Sequence, residues 1–221
     1  MLNTYNKDSG QKINFSKSQA FFSPRASNTI KTRCLSSLNI TDSSSIGSYL
    51  GIPLDIGSKR KEIFQNIIDK IKKRILSWTS KFLNFAGRVT LIKSVLQSIL
   101  VYPMTIYKFP IHTLNCIDKI LANFLWKGNG DTKIHWINWD FLHFSTKKGG
   151  LGLKHLHIFN LALLAKNSCE IFARTTSPIY NTLKHKYFPS SNPHKPRTVQ
   201  NPSWVWKSIV DSVKPLEPFY H

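Results

Sequence analysis

The sequence predicts a mainly α-helical protein built around a helical hairpin or bundle, with a few short β-strands near the N-terminus and around residues 133–157. Apolar residues recur every three or four positions over several long stretches, which is the period of an α-helix with one buried face. Hydrophobic residues make up 41% and charged residues 19% of the 221 residues, a composition typical of a globular protein.

The elements are predicted in order along the chain. Residues 1–47 are rich in Ser, Asn and Thr, so they are interpreted as loops and short strands, weakly structured unless something packs on them. The apolar step at residues 49–54 predicts a strand or a tight turn. A helix is predicted over residues 62–78, because Ser58 is a suitable N-cap and Glu62 stands where the helix dipole favours an acid.

A second helix is predicted over residues 86–102, where Pro103 limits it. This helix and the first are joined by a short segment, so they are expected to pack as a helical hairpin. The later predicted elements are helices over residues 114–126 and 160–173, a proline-rich linker over 189–202 and a short helix over 203–213.

The charge is strongly one-sided. Lys and Arg number 31 against 11 acidic residues, which gives a formal net charge of +20. A compact body with this excess attracts polyanions, so nucleic acid is the first partner to consider. Codon bias is the alternative explanation, because Lys, Asn and Ile are all abundant, but it does not account for the scarcity of acids.

The sequence predicts an intracellular protein, in the nucleus or cytoplasm and not secreted. Its three cysteines are odd in number and far apart, which argues against a disulfide framework. Residues 1–10 contain no apolar signal core. The apolar stretch within residues 93–108 is expected to be too short and too polar to span a bilayer, so no membrane partner is predicted.

Neighbouring residues form no catalytic or metal site. Polymerases, nucleases and phosphatases hold two metal ions with clustered carboxylates, whereas no two of the acidic residues here are adjacent. Folding would have to gather distant ones. His155 and His157 are the only close pair of zinc-type ligands, and their spacing favours exposed histidines. We therefore expect no catalytic residue, metal site, cofactor or small-molecule substrate in this chain.

A basic constellation surrounds the predicted hairpin, and it is the strongest functional signal. Several cations on a helical face can lie along a phosphate backbone, although a solvated lysine face is the alternative for each residue. Trp136 and Trp139 could stack bases, whereas Trp78 is interpreted as core. The candidate nucleic-acid-binding residues are Lys59, Arg60, Lys70, Lys73, Arg74, Lys81, Arg88 and Lys93.

Several motifs, in order and spacing, carry a family resemblance across essentially the whole chain. They are residues 9–18 (SGQKINFSKS), 49–54 (YLGIPL), 75–78 (ILSW), 86–88 (AGR), 91–96 (LIKSVL), 124–126 (FLW), 135–139 (HWINW), 148–152 (KGGLG), 160–166 (NLALLAK), 187–189 (YFP) and 203–209 (SWVWKSI). Together they resemble the region that follows the catalytic YxDD strand in plant LINE-type (non-LTR) retrotransposon reverse transcriptases.

This resemblance implies a domain organisation and an activity. Residues 1–56 resemble the end of the palm with a primer-grip-like turn, and 57–130 a thumb-like helical bundle. Residues 131–188 resemble a connecting helical region, which leaves 189–221 as the linker and short C-terminal helix. The family activity is magnesium-dependent RNA-directed DNA synthesis, and its metal-binding aspartates precede the segment with which this chain begins.

The resemblance also assigns roles to residues of the first segment. Tyr49, Leu50 and Gly51 would face the primer end. Lys12 corresponds to the basic residue near the incoming triphosphate, with Lys17 as a competitor. The chain departs from the family at Cys169 and Glu170, where Trp and Arg are usual, so we expect a packing hole and a reversed charge there.

The expected function is that of a truncated reverse-transcriptase fragment that binds RNA, single-stranded DNA or RNA–DNA hybrid without sequence preference and does not polymerise alone. One rival is a surviving polymerase whose palm is supplied by another polypeptide. Another is an inert, poorly folded remnant, since residues 1–54 would lack their sheet neighbours and leave apolar surface exposed.

Overall fold

The computed structural model describes residues 2–23, 25–43, 47–49, 52–53, 60–79, 83–126, 135–173, 176–188, 197 and 199–213. The chain is mainly α-helical, as predicted. It divides into two compact units, Met1–Ile63 and Phe64–His221. The predicted proline-rich linker lies largely outside the described residues, as do the predicted N-cap Ser58 and the glycines after residue 126.

The first unit contains two helices, α1 (Leu2–Ser9) and α2 (Asn28–Leu38), that the sequence reading took as loops. The Ser27 hydroxyl caps α2 by accepting a hydrogen bond from the Ile30 N–H, and Asn39 ends the helix in the left-handed conformation. No described residue of α2 is buried. Local capping therefore specifies this helix without the apolar stripe that sequence analysis depends on.

Short strands near the N-terminus are confirmed. Strands β1 (Gln19–Ala20) and β2 (Thr41–Asp42) pair in parallel on either side of α2. Strands β3 (Ser48–Tyr49) and β4 (Ile52–Pro53) pair antiparallel, with Tyr49 opposite Ile52. Large apolar side chains of this unit are exposed, as expected for residues 1–54. They are Tyr5, Phe15, Phe21, Ile30, Leu38 and Tyr49.

Helix α3 (Arg60–Thr79) confirms the first predicted helix. The second predicted helix is continuous from Phe85 to Ile106, as α4 (Phe85–Leu91), a π-helical turn (Ile92–Leu96) and α5 (Gln97–Ile106). Pro103 lies inside its last turn, so the expected end before Pro103 is wrong. The only backbone donor lost here is that of Pro103 itself. The helix then ends one turn later, where the Tyr107 N–H bonds the Pro103 carbonyl.

Among the described residues, one helix could cross a membrane by its length and composition alone, namely Phe85–Ile106 with 22 residues. This corrects the expectation that the apolar stretch in this region is too short. Core helices of soluble proteins have the same properties. Here Ile92, Leu96 and Leu100 are fully buried, and the helix packs on the two helices that follow it.

The core of the second unit is built on α6 (Ile111–Trp126), which confirms the third predicted helix. Its residues Leu114, Ile117, Leu121 and Leu125 recur at helical spacing and are at most 2% exposed. Burying four such side chains stabilises the fold by roughly 1.5–3 kcal/mol each before the loss of chain entropy is counted.

Residues 135–155 form 3₁₀ turns where short strands were expected, so that part of the strand prediction is wrong. The turns span Trp139–His143 and Thr146–Lys148. The Asn138 side chain accepts a hydrogen bond from the Asp140 N–H, and Gly149 closes the second turn in the left-handed conformation. These local side-chain and glycine preferences outcompete a strand in a stretch whose aromatic content favoured one.

Three helices complete the second unit: α7 (Leu156–Ala173), α8 (Pro178–Tyr187) and α9 (Trp204–Val213). Helices α7 and α9 confirm predictions, whereas α8 was not predicted. The three share a buried cluster of Ile171, Tyr180, Tyr187, Phe188, Trp206 and Ile209. Cys169 is exposed, so the expected packing hole at this position is wrong.

Candidate nucleic-acid interface

Helix α3 has one buried apolar side, and the rest of its surface is exposed to solvent. Ile63, Ile67 and Ile71 are buried at helical spacing, and this fixes which side of the helix faces solvent. The described cations of α3 are all exposed: Arg60, Lys61, Lys70, Lys72, Lys73 and Arg74. The predicted residues Lys59 and Lys81 lie outside the described residues. Of the described cations, Lys70, Lys73 and Arg74 lie within one arc of the helix and form the basic face of α3, whereas Lys61 and Lys72 lie on the other side of it.

Lys70, Lys73 and Arg74 lie at positions i, i+3 and i+4 of α3, so they occupy one side of the helix. Successive turns of a helix are about 5.4 Å apart, while one nucleic-acid strand carries a charge about every 3.4 Å along its axis. Cations one turn apart can thus meet phosphates one or two steps apart. Asp69 directly precedes Lys70, and its carboxylate accepts a 2.9 Å hydrogen bond from the Gln65 amide.

Two further predicted cations lie on the Phe85–Ile106 helix. Lys93 is exposed in the π turn, and its Nζ lies 3.8 Å from where a Cβ on Gly152 would stand. Arg88 is half-buried, and its Nε is buried without a hydrogen-bond partner. Lys93 can therefore reach a phosphate directly, whereas Arg88 offers only the outer part of its guanidinium.

Helix α6 packs against both α3 and the Phe85–Ile106 helix. The ring of Phe64 lies 4.8 Å from that of Phe109, just before α6, and Trp78 lies 5.9 Å from Phe124 near its end. Helix α3 thus runs alongside α6 in the same direction. Phe85, at the start of α4, lies 5.5 Å from the ring of Trp126 in α6. The predicted hairpin is consequently held together through a third helix, and Trp78 belongs to its packing, as expected.

The residues assigned by resemblance lie in the first unit. Lys12 and its competitor Lys17 are exposed there. Tyr49 is exposed on β3, opposite Ile52 of β4. Leu50 and Gly51 lie outside the described residues. The structure describes each unit by itself, so it does not bring Lys12 or Tyr49 together with the basic face of α3.

Within the described ranges, no group of three or more His, Cys, Asp and Glu residues could hold a metal ion. His155 is exposed, whereas His157 is half-buried in the first turn of α7. The predicted absence of a catalytic residue or cofactor remains a prediction.

Sequence reasoning missed a cluster that joins α6 to the 3₁₀ turns. Asp118 of α6 is half-buried beside Trp139, and both its Oδ1 and the indole Nε1 are buried. The two atoms fall short of hydrogen-bond geometry, although the nearby indole N–H still favours the charged carboxylate. The His143 ring stands 5.0 Å from that of His155, and its Nδ1 lies 3.1 Å from the Leu153 carbonyl oxygen. The sequence signal that could have pointed to this cluster is Asp118 itself, the only acid in α6.

Burial raises the pKa of Asp118 from its ordinary value near 3.8 to about 6, because the charged form loses hydration; the Trp139 indole and His155 oppose this shift and Asp140 adds to it. Burial also lowers the pKa of His143, opposed by its bond to the Leu153 carbonyl. Burial in this cluster therefore disfavours the charged forms of both Asp118 and His143.

Asp118→Asn should stabilise the protein at pH 7.5 by up to about 3 kcal/mol, from a shift of roughly two pKa units. The folded-state pKa is raised, so Asp118 binds its proton more tightly when folded; the parent therefore loses stability as pH rises from about 4 to 6. The variant lacks this loss, and the two proteins should converge near pH 4. Urea unfolding across this range measures the difference.

Asp140→Asn is the matched control, since Asp140 is exposed. Its substitution should change the free energy of unfolding by less than about 0.5 kcal/mol. A parent more stable than Asp118→Asn at pH 7.5 would contradict the account, because it would mean that His155 or Trp139 compensates for the buried charge.

No protein-family model matches the chain. A putative ribonuclease H protein of Arabidopsis thaliana is 31% identical over 153 residues, which are 68% of this chain and 25% of that protein. An uncharacterized mitochondrial protein of Arabidopsis thaliana is 31% identical over 112 residues, which are 50% of this chain and 73% of that protein. The chain thus spans about a quarter of the first relative. Relatives of this kind support a retroelement-related protein.

Proposed function

We propose, from the premise that this chain belongs to the same family as the uncharacterized mitochondrial protein of Arabidopsis thaliana, that it binds the backbone of nucleic acid without sequence preference. The observation that carries the proposal is the basic side of α3, where Lys70, Lys73 and Arg74 are exposed on one face. The net charge of +20 attracts polyanions to that face.

The proposed origin is the region downstream of the palm in a plant LINE-type reverse transcriptase. The ordered motifs support it, and so does the similarity to the putative ribonuclease H protein of Arabidopsis thaliana. The proposed partners are RNA, single-stranded DNA and RNA–DNA hybrid, and not a membrane or a small molecule. Because the catalytic aspartates of the family have no counterpart in this sequence, the chain alone is expected not to polymerise.

Filter binding across a salt series tests the proposal. The logarithm of affinity should fall linearly with the logarithm of salt concentration, with a slope of about −0.9 per phosphate contacted on duplex and about −0.7 on single strands. Unrelated sequences should bind alike. An affinity that ignores ionic strength would overturn the proposal.

The name of one relative raises a second candidate function, cleavage of the RNA strand of a hybrid. Such cleavage needs carboxylates that hold divalent metal ions. Incubation of the purified chain with RNA–DNA hybrid and Mg²⁺, beside a primer-extension reaction, separates the alternatives. Binding without cleavage or extension is expected, and either product would favour an enzyme.

Replacing Lys70, Lys73 and Arg74 together by Gln should weaken binding for every sequence and flatten the duplex salt slope by up to about 3 units. The matched control changes three exposed lysines of other helices in the same way, namely Lys119, Lys166 and Lys207. Both triple variants remove the same net charge. If they flatten the slope equally, the α3 face is not the binding site and only the overall charge matters.

A further inference from the structure

Large aromatic rings are exposed within a short stretch of the second unit. Trp136, Phe141 and Phe144 expose 77%, 59% and 50% of their surface. Aromatic side chains usually bury their rings, so several open ones close together in sequence mark a surface that meets a partner. The basic face of α3 does not include them.

The two phenylalanines are fixed in place by their backbone. The Phe144 carbonyl accepts a 2.8 Å hydrogen bond from the Gly152 N–H, and the Leu142 carbonyl between the two rings accepts 3.1 Å bonds from Leu151 and Leu153. Leu142 itself is buried. The rings of Phe141 and Phe144 touch edge to face at 5.8 Å. Because the two rings are already ordered, they lose little side-chain entropy when a flat ligand stacks on them.

The surroundings of the rings are cationic. Lys147 and Lys148 are exposed in the next turn, and Asp140 is the only acid in residues 135–158. Flat rings beside lysines are the pattern with which proteins hold unpaired bases and their phosphates. An apolar protein partner would not pair with the cations. Bases within a duplex are already stacked on one another, so they are not free to stack on the rings.

The ring surface lies near Lys93, a predicted backbone-contacting cation outside α3. Lys93 reaches to Gly152, whose N–H holds the Phe144 carbonyl. Gln97 at the start of α5 also exchanges two hydrogen bonds with the backbone of Lys154, at 3.3 and 3.4 Å. A strand whose phosphates lie near Lys93 can therefore place its bases on the rings.

We propose that Phe141 and Phe144, flanked by Lys147 and Lys148, form a stacking platform for unpaired bases of a single strand, RNA or DNA. The platform deepens the proposed backbone-binding function and rests on it. It gives this chain a preference for single strands over duplex, which the cations of α3 alone do not supply.

The test compares oligothymidylate, oligouridylate and a blunt DNA duplex as probes for the full chain. The double variant Phe141→Ala/Phe144→Ala should lower the affinity for both single strands on the order of 10-fold or more per ring. Duplex affinity and the salt slope should stay as in the parent. The two oligonucleotides distinguish RNA from DNA as the preferred strand.

A leucine pair gives the sharper variant. Phe141→Leu/Phe144→Leu keeps apolar bulk but removes the flat π face, so it should lose single-strand affinity almost as the alanine pair does. An apolar protein-docking surface would tolerate leucine. The exchange Phe141→Tyr/Phe144→Tyr should retain binding. Because both side chains are exposed, unchanged thermal unfolding is expected for every variant.

Single-strand affinity that is unchanged in the alanine and leucine pairs, with a normal duplex salt slope in the parent, overturns the platform and leaves backbone binding standing. Equal losses on single strands and duplex overturn it as well. Self-association that both pairs abolish, without an effect on single strands, would assign the surface to a second copy. A parent that binds no probe removes the backbone proposal itself.

Discussion

Asn160→Ala is expected to destabilise the second unit by about 3 kcal/mol or more, because it breaks three buried hydrogen bonds whose partners then stay unsatisfied at roughly 1–3 kcal/mol each. The Asn160 amide donates 2.9 Å bonds to the carbonyls of Met104 and Tyr107 and accepts a 2.8 Å bond from the Phe109 N–H. The residue is 1% exposed. One side chain of α7 therefore holds the segment that joins α5 to α6, and urea unfolding measures its contribution.

Asn167→Ala is the matched control two turns further along the same face of α7. Its amide donates a single 2.7 Å bond to the Thr105 carbonyl from a half-buried site, so about 1 kcal/mol is expected. Asn160→Asp keeps the size of the side chain and the acceptor for the Phe109 N–H. It loses the two hydrogen bonds donated to the carbonyls and buries a charge. It should be at least as harmful as Ala. Equal effects of Asn160→Ala and Asn167→Ala would refute the tethering role.

Gly150→Ala is expected to cost about 3 kcal/mol or more, the upper end of what overpacking costs. A Cβ on Gly150 would overlap the Phe144 carbonyl group, which is backbone and cannot turn aside as a flexible side chain does. The Gly150 N–H also bonds the Ser145 carbonyl, so the loop cannot back away freely. Thermal unfolding followed by circular dichroism measures the loss.

Gly149→Ala is the control for Gly150→Ala, because it tests backbone strain without a clash. Gly149 has φ +80° and open space around its Cβ position, so Ala should cost about 1–2 kcal/mol. Gly149→Asn should recover part of this, since Asn tolerates the left-handed region. A Gly150→Ala protein as stable as Gly149→Ala would mean that the 3₁₀ turns adapt to the added atom.

The sequence predicted α3, α6, α7 and α9 because each has an apolar stripe that a tertiary core buries, as Ile67 and Ile117 show. It missed α2, which is specified by the Ser27 cap and not by burial. It missed α8, which follows the Ser177 cap and Pro178 and presents few apolar residues. Capping is a local signal of about 1 kcal/mol, too weak to stand out without a hydrophobic period.

The basic side of α3 could be predicted because the isoleucine stripe leaves Lys70 and Lys73 only the solvent side. The meeting of Asp118 with Trp139 could not, since it depends on how α6 packs against turns 21 residues later in the chain. The exposure of the Phe141 and Phe144 rings could not be predicted for the same reason. An apolar residue in a sequence favours burial, and only the fold shows that these two rings stay open.

The π turn at residues 92–96 bears on how relatives of different length are compared. A π turn closes each hydrogen-bonded loop with one residue more than an α turn does. The extra residue is absorbed locally, so Ile92 at the start of the turn and Leu100 after it both remain fully buried. A homologue shorter by one amino acid here can keep the same inward-facing positions with an unbroken α-helix, and a single-residue alignment gap at this point is compatible with an unchanged architecture.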